Sequence, residues 1–415
     1  MSERRRVVVT GLGVVAPNGI GVEEFWNATL ACRSGISRIT HWDVSQLESQ
    51  IAGFVKGLDP TQFMPSIVAR RVDRYVHLGL SAASMAIKDS GLDLEREDRS
   101  RIGVLLGSGL GGLLFHEEQI LVAFEKGPHR LSPLGVPRTS PNAVASHIAI
   151  QFGLTGPNMV ISTACASGNH GIGESLRKIQ HGEADVMVTG GAECPLTHFT
   201  FGSYAALKVL SRRNDAPEKA SRPFDRDRDG FVLAEGGASL ILEELEHARR
   251  RGARIYAELI GYSATSGAHH MVIPEPNGAD AAAAMRLALQ DAAISPQDVD
   301  YINAHGTSTA ANDAAETKAI KAVFGDHAYR VPISATKGVT GHTIGAAGGI
   351  EAVVCCLTLD RQLIHPTANL ENPDPECDLD YVPGKPREAK VNVVLSNSFG
   401  FGNANACLVF RRYLP

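Results

Sequence analysis

Residues 159–168 read MVISTACASG, and residues 331–341 read VPISATKGVTG. Each is a short β-branched strand that runs into small residues and then into a helical pattern. In this pairing Lys337 falls near the place of Cys165. The match is not isolated. AIKDSGL (86–92), leading into IGVLLGSG, is echoed by ALQDAAI (288–294), leading into VDYINAHG. DVMVTGGAE (185–193) is echoed by VNVVLSNSFG (391–400). Repetition in this order predicts two similar halves, 1–254 and 255–415, dividing near residue 250. Alternating strands and helices predict an α/β fold with mainly parallel sheets covered by helices. Sites on such sheets form where strands end and helices begin, so the chemistry is expected where the halves meet. Stretches 117–141 and 210–229 read as loop-like insertions, and long structureless segments are often functional.

Composition narrows the class. The chain has 415 residues, 44% hydrophobic and 20% charged, enough for a substantial soluble core. A net charge of −5 gives no reason to expect nucleic-acid binding. No apolar run approaches a membrane span. The start, MSERRRVVVTG, reads as basic residues entering a strand and not as a signal segment, so a cytoplasmic location is expected. Gly11, Gly13 and Ala16 mimic a dinucleotide fingerprint, but Pro17, Asn18 and Gly19 make a turn where that motif needs a helix. Seven cysteines lie scattered, none in a CxxC pair or in zinc spacing with histidine, so free thiols and no metal site are expected. Cys355 and Cys356, inside AVVCCLTL, read as core.

Cys165 reads differently. It sits between a strand and an amphipathic helix, where unpaired N–H groups favour thiolate and lower the pKa. Small neighbours leave room for an acyl group, and the backbone N–H there suits an oxyanion. The competing reading is a buried structural thiol. His305 ends a short apolar strand before Gly306 and two threonines; it is either a cleft histidine or a hydrogen-bonded core one. His342 lies in another small-residue turn, with Lys337 before it and Glu351 on the following helix. A lone Lys–Glu pair is usually surface decoration, but these are flanked by Gly and Ala. Phe399, Gly400, Phe401 and Gly402 form either a tight turn or a gate with a backbone donor.

Taken together, TACASG, NAHGTST, TKGVTGHTIGAAGGIEA, RPFDRDRDGFVLAEG and NSFGFGNAN resemble the β-ketoacyl-acyl-carrier-protein synthases, condensing enzymes of fatty-acid and polyketide assembly. The likeness is to the type II elongating enzymes and covers essentially the whole chain. It implies a thiolase-type duplicated αβαβα fold with mainly parallel mixed sheets, and a dimer. It implies a decarboxylating Claisen condensation with Cys165 as nucleophile and His305 and His342 as hydrogen-bond donors to an enolate. Lys337 and Glu351 support that pair, and Phe401 supplies an oxyanion N–H beside that of Cys165. Thr307 and Thr309 match positions that contact the pantetheine arm. Phe231 and Phe401 match gate positions, Leu110 matches one lining the acyl pocket, and Phe399, in the same turn as Phe401, is a further substrate-binding candidate. No resident cofactor is implied, because substrates ride on the phosphopantetheine arm of acyl carrier protein.

That acidic partner requires a local basic patch on a slightly acidic chain, and Arg70, Arg71 and Lys208 are predicted to form it; each could equally belong to a solvated face. His342 favours an elongating over an initiating enzyme, which carries Asn there. The chain departs from the family pattern at Gly267 (GAHHMV), Asn403 and Ala404 (GFGNAN), STAAND and Gly338. These changes raise a polyketide or polyene pathway as the alternative, with a homodimer or a heterodimer containing a chain-length-factor-like subunit. A non-catalytic partner of that kind would lack the nucleophile. A thiolase would need a second catalytic cysteine, and Cys407, inside the last strand, reads as core.

Overall fold

The computed structural model describes residues 4–414. Ten strands build its main sheet: β1 (Val7–Ala16), β2 (Ile102–Gly107), β3 (Asn158–Ile161), β4 (Val186–Glu193), β5 (Gly236–Glu244), β6 (Ala257–Ser266), β7 (Tyr301–Asn303), β8 (Ile333–Ser334), β9 (Val393–Gly400) and β10 (Ala404–Arg411). Their spatial order is β8-β7-β9-β10-β6-β1-β5-β4-β2-β3, and Gly19–Ile20 adds a short strand to β1. The order within β1–β5 is repeated within β6–β10. In each half three strands are parallel, β3-β2-β4 and β8-β7-β9. β5 and β10 run against both their neighbours. Within the sheet, among the described residues, the strands of the two halves pair only at Val8↔Glu258 and Val9↔Ala257. The three repeated sequence pairs land on β2/β7, β3/β8 and β4/β9, equivalent places in the two halves. β1–β5 fall within 1–254 and β6–β10 within 255–415; residues 1–3 and 415 lie outside the described residues.

The main helices are α1 (Arg74–Ser90), α2 (Leu113–Lys126), α3 (Ala143–Phe152), α4 (Ser167–Gln180), α5 (Ala279–Asp291), α6 (Ala310–Phe324) and α7 (Ala347–Arg361). α1 and α3 cover the outer face of one half, and α5 and α6 that of the other. α4 and α7 pack together between the halves. α7 is buried without a break from Ala347 to Leu359, as a helix with sheet on both sides must be. The layers therefore run αβαβα. The glycines of β1 have a packing cause: a Cβ on Gly13 would lie 2.0 Å from Ala82 O, and one on Gly11 2.3 Å from Ala86 O. α1 crosses the strand at that distance, which only glycine permits.

One expectation fails here. Residues 117–141 are not loop: α2 and a short helix, Gly135–Thr139, occupy much of the stretch. Phe115 alone of α2 is buried, so no core-facing stripe marked it as a helix. Residues 210–229 are irregular apart from one 3₁₀ turn, Pro217–Lys219, and buried ion pairs Arg222–Asp225 and Arg228–Asp313 hold them. Among the described residues no helix is long and apolar enough to cross a membrane.

Candidate active site

β3 ends at Ile161, a 3₁₀ turn covers Ala164–Ala166, and α4 begins at Ser167. Ala164 takes a left-handed φ of 51°, a sharp turn that lifts Cys165 out of the strand's line. The Ser167 hydroxyl locks it, accepting from Thr163 N at 2.9 Å and donating to Ala164 O at 2.6 Å. The second half repeats this turn at Ile344–Ala346, with Ile344 at φ 47°, ahead of α7. The structural counterpart of Cys165 is therefore Gly345, not Lys337. Residues 335–343 are an extra segment between β8 and the turn, with one helical turn over Lys337–Thr340, and they carry Lys337 and His342. The sequence pairing stopped at the first small residues after the strand, which belong to that segment.

His342 Nε2 lies 3.1 Å from Cys165 Sγ. The Ile344 N–H donates to His342 Nδ1 at 3.3 Å, so a neutral ring carries its proton on Nε2, toward the sulfur. The His305 ring stands 5.5 Å from that of His342, nearly perpendicular. Lys337 Nζ donates to His305 O at 2.6 Å and sits 3.4 Å from its Nδ1, which again leaves the proton on Nε2. Lys337 also pairs with Glu351, both buried. Glu316 holds the backbone of this segment, accepting from His305 N at 2.8 Å and Gly306 N at 2.9 Å. Burial and the Lys337 charge hold both histidines well below the ordinary imidazole range. At neutral pH they are uncharged donors.

The thiol departs from expectation. Burial pushes Cys165 up to about 11, outweighing Lys337 and the Phe401 and Cys165 N–H groups that face the sulfur. The helix start does act in the predicted direction, but a residue only 5% exposed loses more from lost hydration than one turn of dipoles returns. The two N–H groups remain a matched pair of donors. Gly400 is what permits this: a Cβ there would lie 2.8 Å from Thr163 O and 3.2 Å from Cys165 N.

Cys165, His305, His342, Thr307 and Thr309 line one cavity of about 170 Å³ with Phe231, Phe399 and Phe401. Phe231 stands edge-on to His342 at 5.2 Å and Phe399 edge-on to His305 at 5.7 Å, an apolar frame around the two imidazoles. Thr307 and Thr309 share a 2.9 Å hydrogen bond, and the Thr309 hydroxyl caps α6. The structure thus gathers the expected chemical residues, with Lys337 and Glu351 directly behind the histidines.

Other expected residues are placed elsewhere. Leu110 is not in the cavity wall; its N–H is turned to Glu193. Arg70 and Arg71 are exposed just beyond the short helix Ser66–Ala69, outside the wall, whereas exposed Lys208 adjoins Val209 of the wall. Sequence reasoning missed Tyr204, Ile344 and residues 272–274, which also line the cavity; Ile344 and Val272 sit inside quoted motifs but carry no chemical group that would single them out, and no motif marks Tyr204, Ile273 or Pro274. It also missed that two departures are one contact. Gly267 N donates to Asn403 O at 2.8 Å, Gly402 N to Met271 O at 2.7 Å, and Asn403 Nδ2 to His270 O at 2.5 Å. A Cβ on Gly267 would lie 2.0 Å from Asp280 Oδ2 and 2.9 Å from the Asn403 Cβ, so a larger residue there would have to push both side chains aside.

The chain matches the family described as Beta-ketoacyl synthase, N-terminal domain, over residues 4–248, and its C-terminal domain over 256–371. It is 47% identical over 411 residues to a 3-oxoacyl-[acyl-carrier-protein] synthase 2 of Synechocystis sp., covering 99% of both chains. Among solved structures it is similar to AntDE:AntF, a type II PKS acyl-carrier protein in complex with its ketosynthase bound to the hexaketide. That match has a TM-score of 0.92 at 38% identity and covers 99% of this chain and 100% of that one. The ishigamide ketosynthase/chain length factor is similar at TM-score 0.92 and 34% identity, again covering 99% and 100%. A thiol ringed by two neutral imidazoles, two backbone donors and a buried Lys–Glu pair, in a chain aligned end to end with these relatives, belongs to the β-ketoacyl synthase family.

Proposed function

We propose that this chain elongates acyl groups held on acyl carrier protein, by decarboxylative Claisen condensation with malonyl carrier protein. The observation that carries the reading is Cys165 Sγ within 3.1 Å of a His342 Nε2 that must be a donor, with His305 beside it in the same cavity. In the first half-reaction the Cys165 sulfur attacks the acyl thioester. A C–S bond forms to Cys165, the bond to the pantetheine sulfur breaks, and the thiol proton leaves with that sulfur. Because thiol replaces thiol, a high Cys165 pKa costs the equilibrium nothing. The Cys165 and Phe401 N–H groups stabilise the tetrahedral oxyanion.

In the second half-reaction the malonyl carboxylate leaves as carbon dioxide, and its bonding electrons form an enolate. No base is needed, which suits histidines that cannot hold a second proton. Nε2–H of His305 and of His342 donate to the enolate oxygen. The carbanion then attacks the Cys165 thioester, releasing a 3-oxoacyl carrier protein two carbons longer. The departing thiolate takes a proton from solvent, as a thiol titrating near 11 does at neutral pH. Lys337, paired with Glu351, holds the His305 tautomer as the Ile344 N–H holds that of His342, Thr307 and Thr309 meet the pantetheine arm, and Phe231, Phe399 and Phe401 gate it. The reading calls for no resident cofactor, and for a dimer. Carrier protein would dock through Lys208 at the mouth, with Arg70 and Arg71 contributing at longer range.

Fatty-acid elongation is the first reading, supported by the 47% identity to a synthase 2. A catalytic ketosynthase subunit of a polyketide or polyene system is the second. The joined Gly267–Asn403 loops and the similarity to type II polyketide complexes favour it. The purified protein, given a panel of acyl carrier proteins with malonyl carrier protein, should yield products two carbons longer by intact mass. Extension of saturated chains selects the first reading. Activity only on adding a second subunit selects the other, and no acyl-Cys165 with any donor would overturn both.

A further inference from the structure

Glu193, at the end of β4, is a fully buried carboxylate that the mechanism above does not use. No cation lies among its hydrogen-bond partners. Its Oε2 accepts from Gly109 N at 2.5 Å and Gly345 N at 3.2 Å; its Oε1 accepts from Leu110 N and the Ser108 hydroxyl, both at 3.2 Å. The first and last two partners follow β2 in one half of the duplicated fold. Gly345 belongs to the other half, in the turn whose Ile344 N–H sets the tautomer of His342. One side chain thus spans the seam between the halves. The two turns touch there: a Cβ on Gly345 would lie 2.5 Å from both Glu193 Oε2 and Gly109 N.

We propose that Glu193 is a positioning residue of the condensing site, tying the turn that carries Leu110 to the turn that orients His342. This rests on the condensing reading. The carboxylate holds the Ile344–Gly345 backbone where Ile344 N–H meets His342 Nδ1, and hence keeps Nε2–H aimed at the reacting centre. It also holds the Leu110 backbone, so the turn after β2 and the turn that aligns His342 are fixed to each other by one group. A neutral carboxyl donates one hydrogen and cannot accept from every donor present, so protonation loosens the tether. Burial lifts Glu193 to about 7. The titratable groups that feel its charge are Cys165, Tyr204 and Tyr75, and each is pushed upward, away from neutrality.

The test uses Glu193→Gln, Glu193→Asp and Ser108→Ala in the full chain. Glu193→Gln keeps the shape but turns an amide nitrogen toward the Leu110 N–H. Its kcat for malonyl carrier protein decarboxylation should fall roughly tenfold with KM within twofold. An acid limb near pH 7 in the wild-type profile should vanish. Glu193→Asp withdraws the carboxylate by one methylene and should fall further, with Gln rescuing part of the loss. Ser108→Ala, the variant least liable to misfold, removes one donor to the carboxylate and should move the acid limb to higher pH. Iodoacetamide alkylation of Cys165 over the same pH range reads the tether without any substrate. If wild type fails to decarboxylate but its alkylation profile shifts in Ser108→Ala, the condensing reading fails and the tether stands. Profiles and kcat that match wild type in all three folded variants would overturn the proposal.

Discussion

Replacing Lys337 with Met separates what the buried Lys–Glu pair does for stability from what it does for chemistry. Lys337→Met fills the volume but leaves the Glu351 carboxylate buried with no counter-charge. Breaking a buried pair on one side costs about 3–5 kcal/mol. At roughly 2.1 cal/mol/K per residue, 415 residues give about 1 °C per kcal/mol, so Tm should fall by about 3–6 °C. The deficit has a pH sign. Without Lys337 the Glu351 carboxyl is raised above its unfolded value by burial, so its ionised form opposes folding and the deficit should grow from pH 6 to pH 9. Lys337→Met with Glu351→Leu removes the stranded charge and should restore Tm to within about 2 °C of wild type. Decarboxylation should not return. The donor to His305 Nδ1 is still missing, and losing one aligned donor costs about 10²–10³ in kcat. Calorimetry at two pH values and a carbon dioxide release assay read both quantities. Equal Tm for single and double variants, or recovered decarboxylation in the double, would refute the argument.

His342→Ala should lose decarboxylation by about 10²–10³ while Cys165 still accepts an acyl group, detected by intact mass. Alkylation of Cys165 by iodoacetamide should rise about tenfold per pH unit from 7 to 10 without levelling, because the thiol titrates near 11; a plateau below pH 8 would contradict this. His247, bonded to Glu243 and Glu97, has its pKa raised chiefly by the Glu243 hydrogen bond. Its stabilisation is therefore complete below the ordinary histidine range and lost as pH rises through the higher folded value. His247→Gln should flatten Tm against pH in that window. Asn403→Gly removes the bond to the His270 carbonyl, and should raise proteolysis at residues 267–274 and change acyl selectivity more than kcat.

The sequence by itself determined the duplicated halves and singled out the candidate reacting groups. The halves are written in strand-to-turn-to-helix patterns that repeat in order; Cys165 and His305 each admit a structural reading when taken alone, and only the five motifs together, through the family they resemble, give them roles. The sequence also placed Cys355, Cys356 and Cys407 in the core, where all three are buried. Tertiary structure alone decided what depends on distance across the seam. Gly345 rather than Lys337 answers Cys165, because equivalence is set by backbone turn geometry and not by order of small residues. The Cys165 pKa rises because burial, invisible in a motif, exceeds the helix-start field. Glu193 and the Gly267–Asn403 contact join segments 83 or more residues apart, and only folding brings their hydrogen-bonding groups within reach.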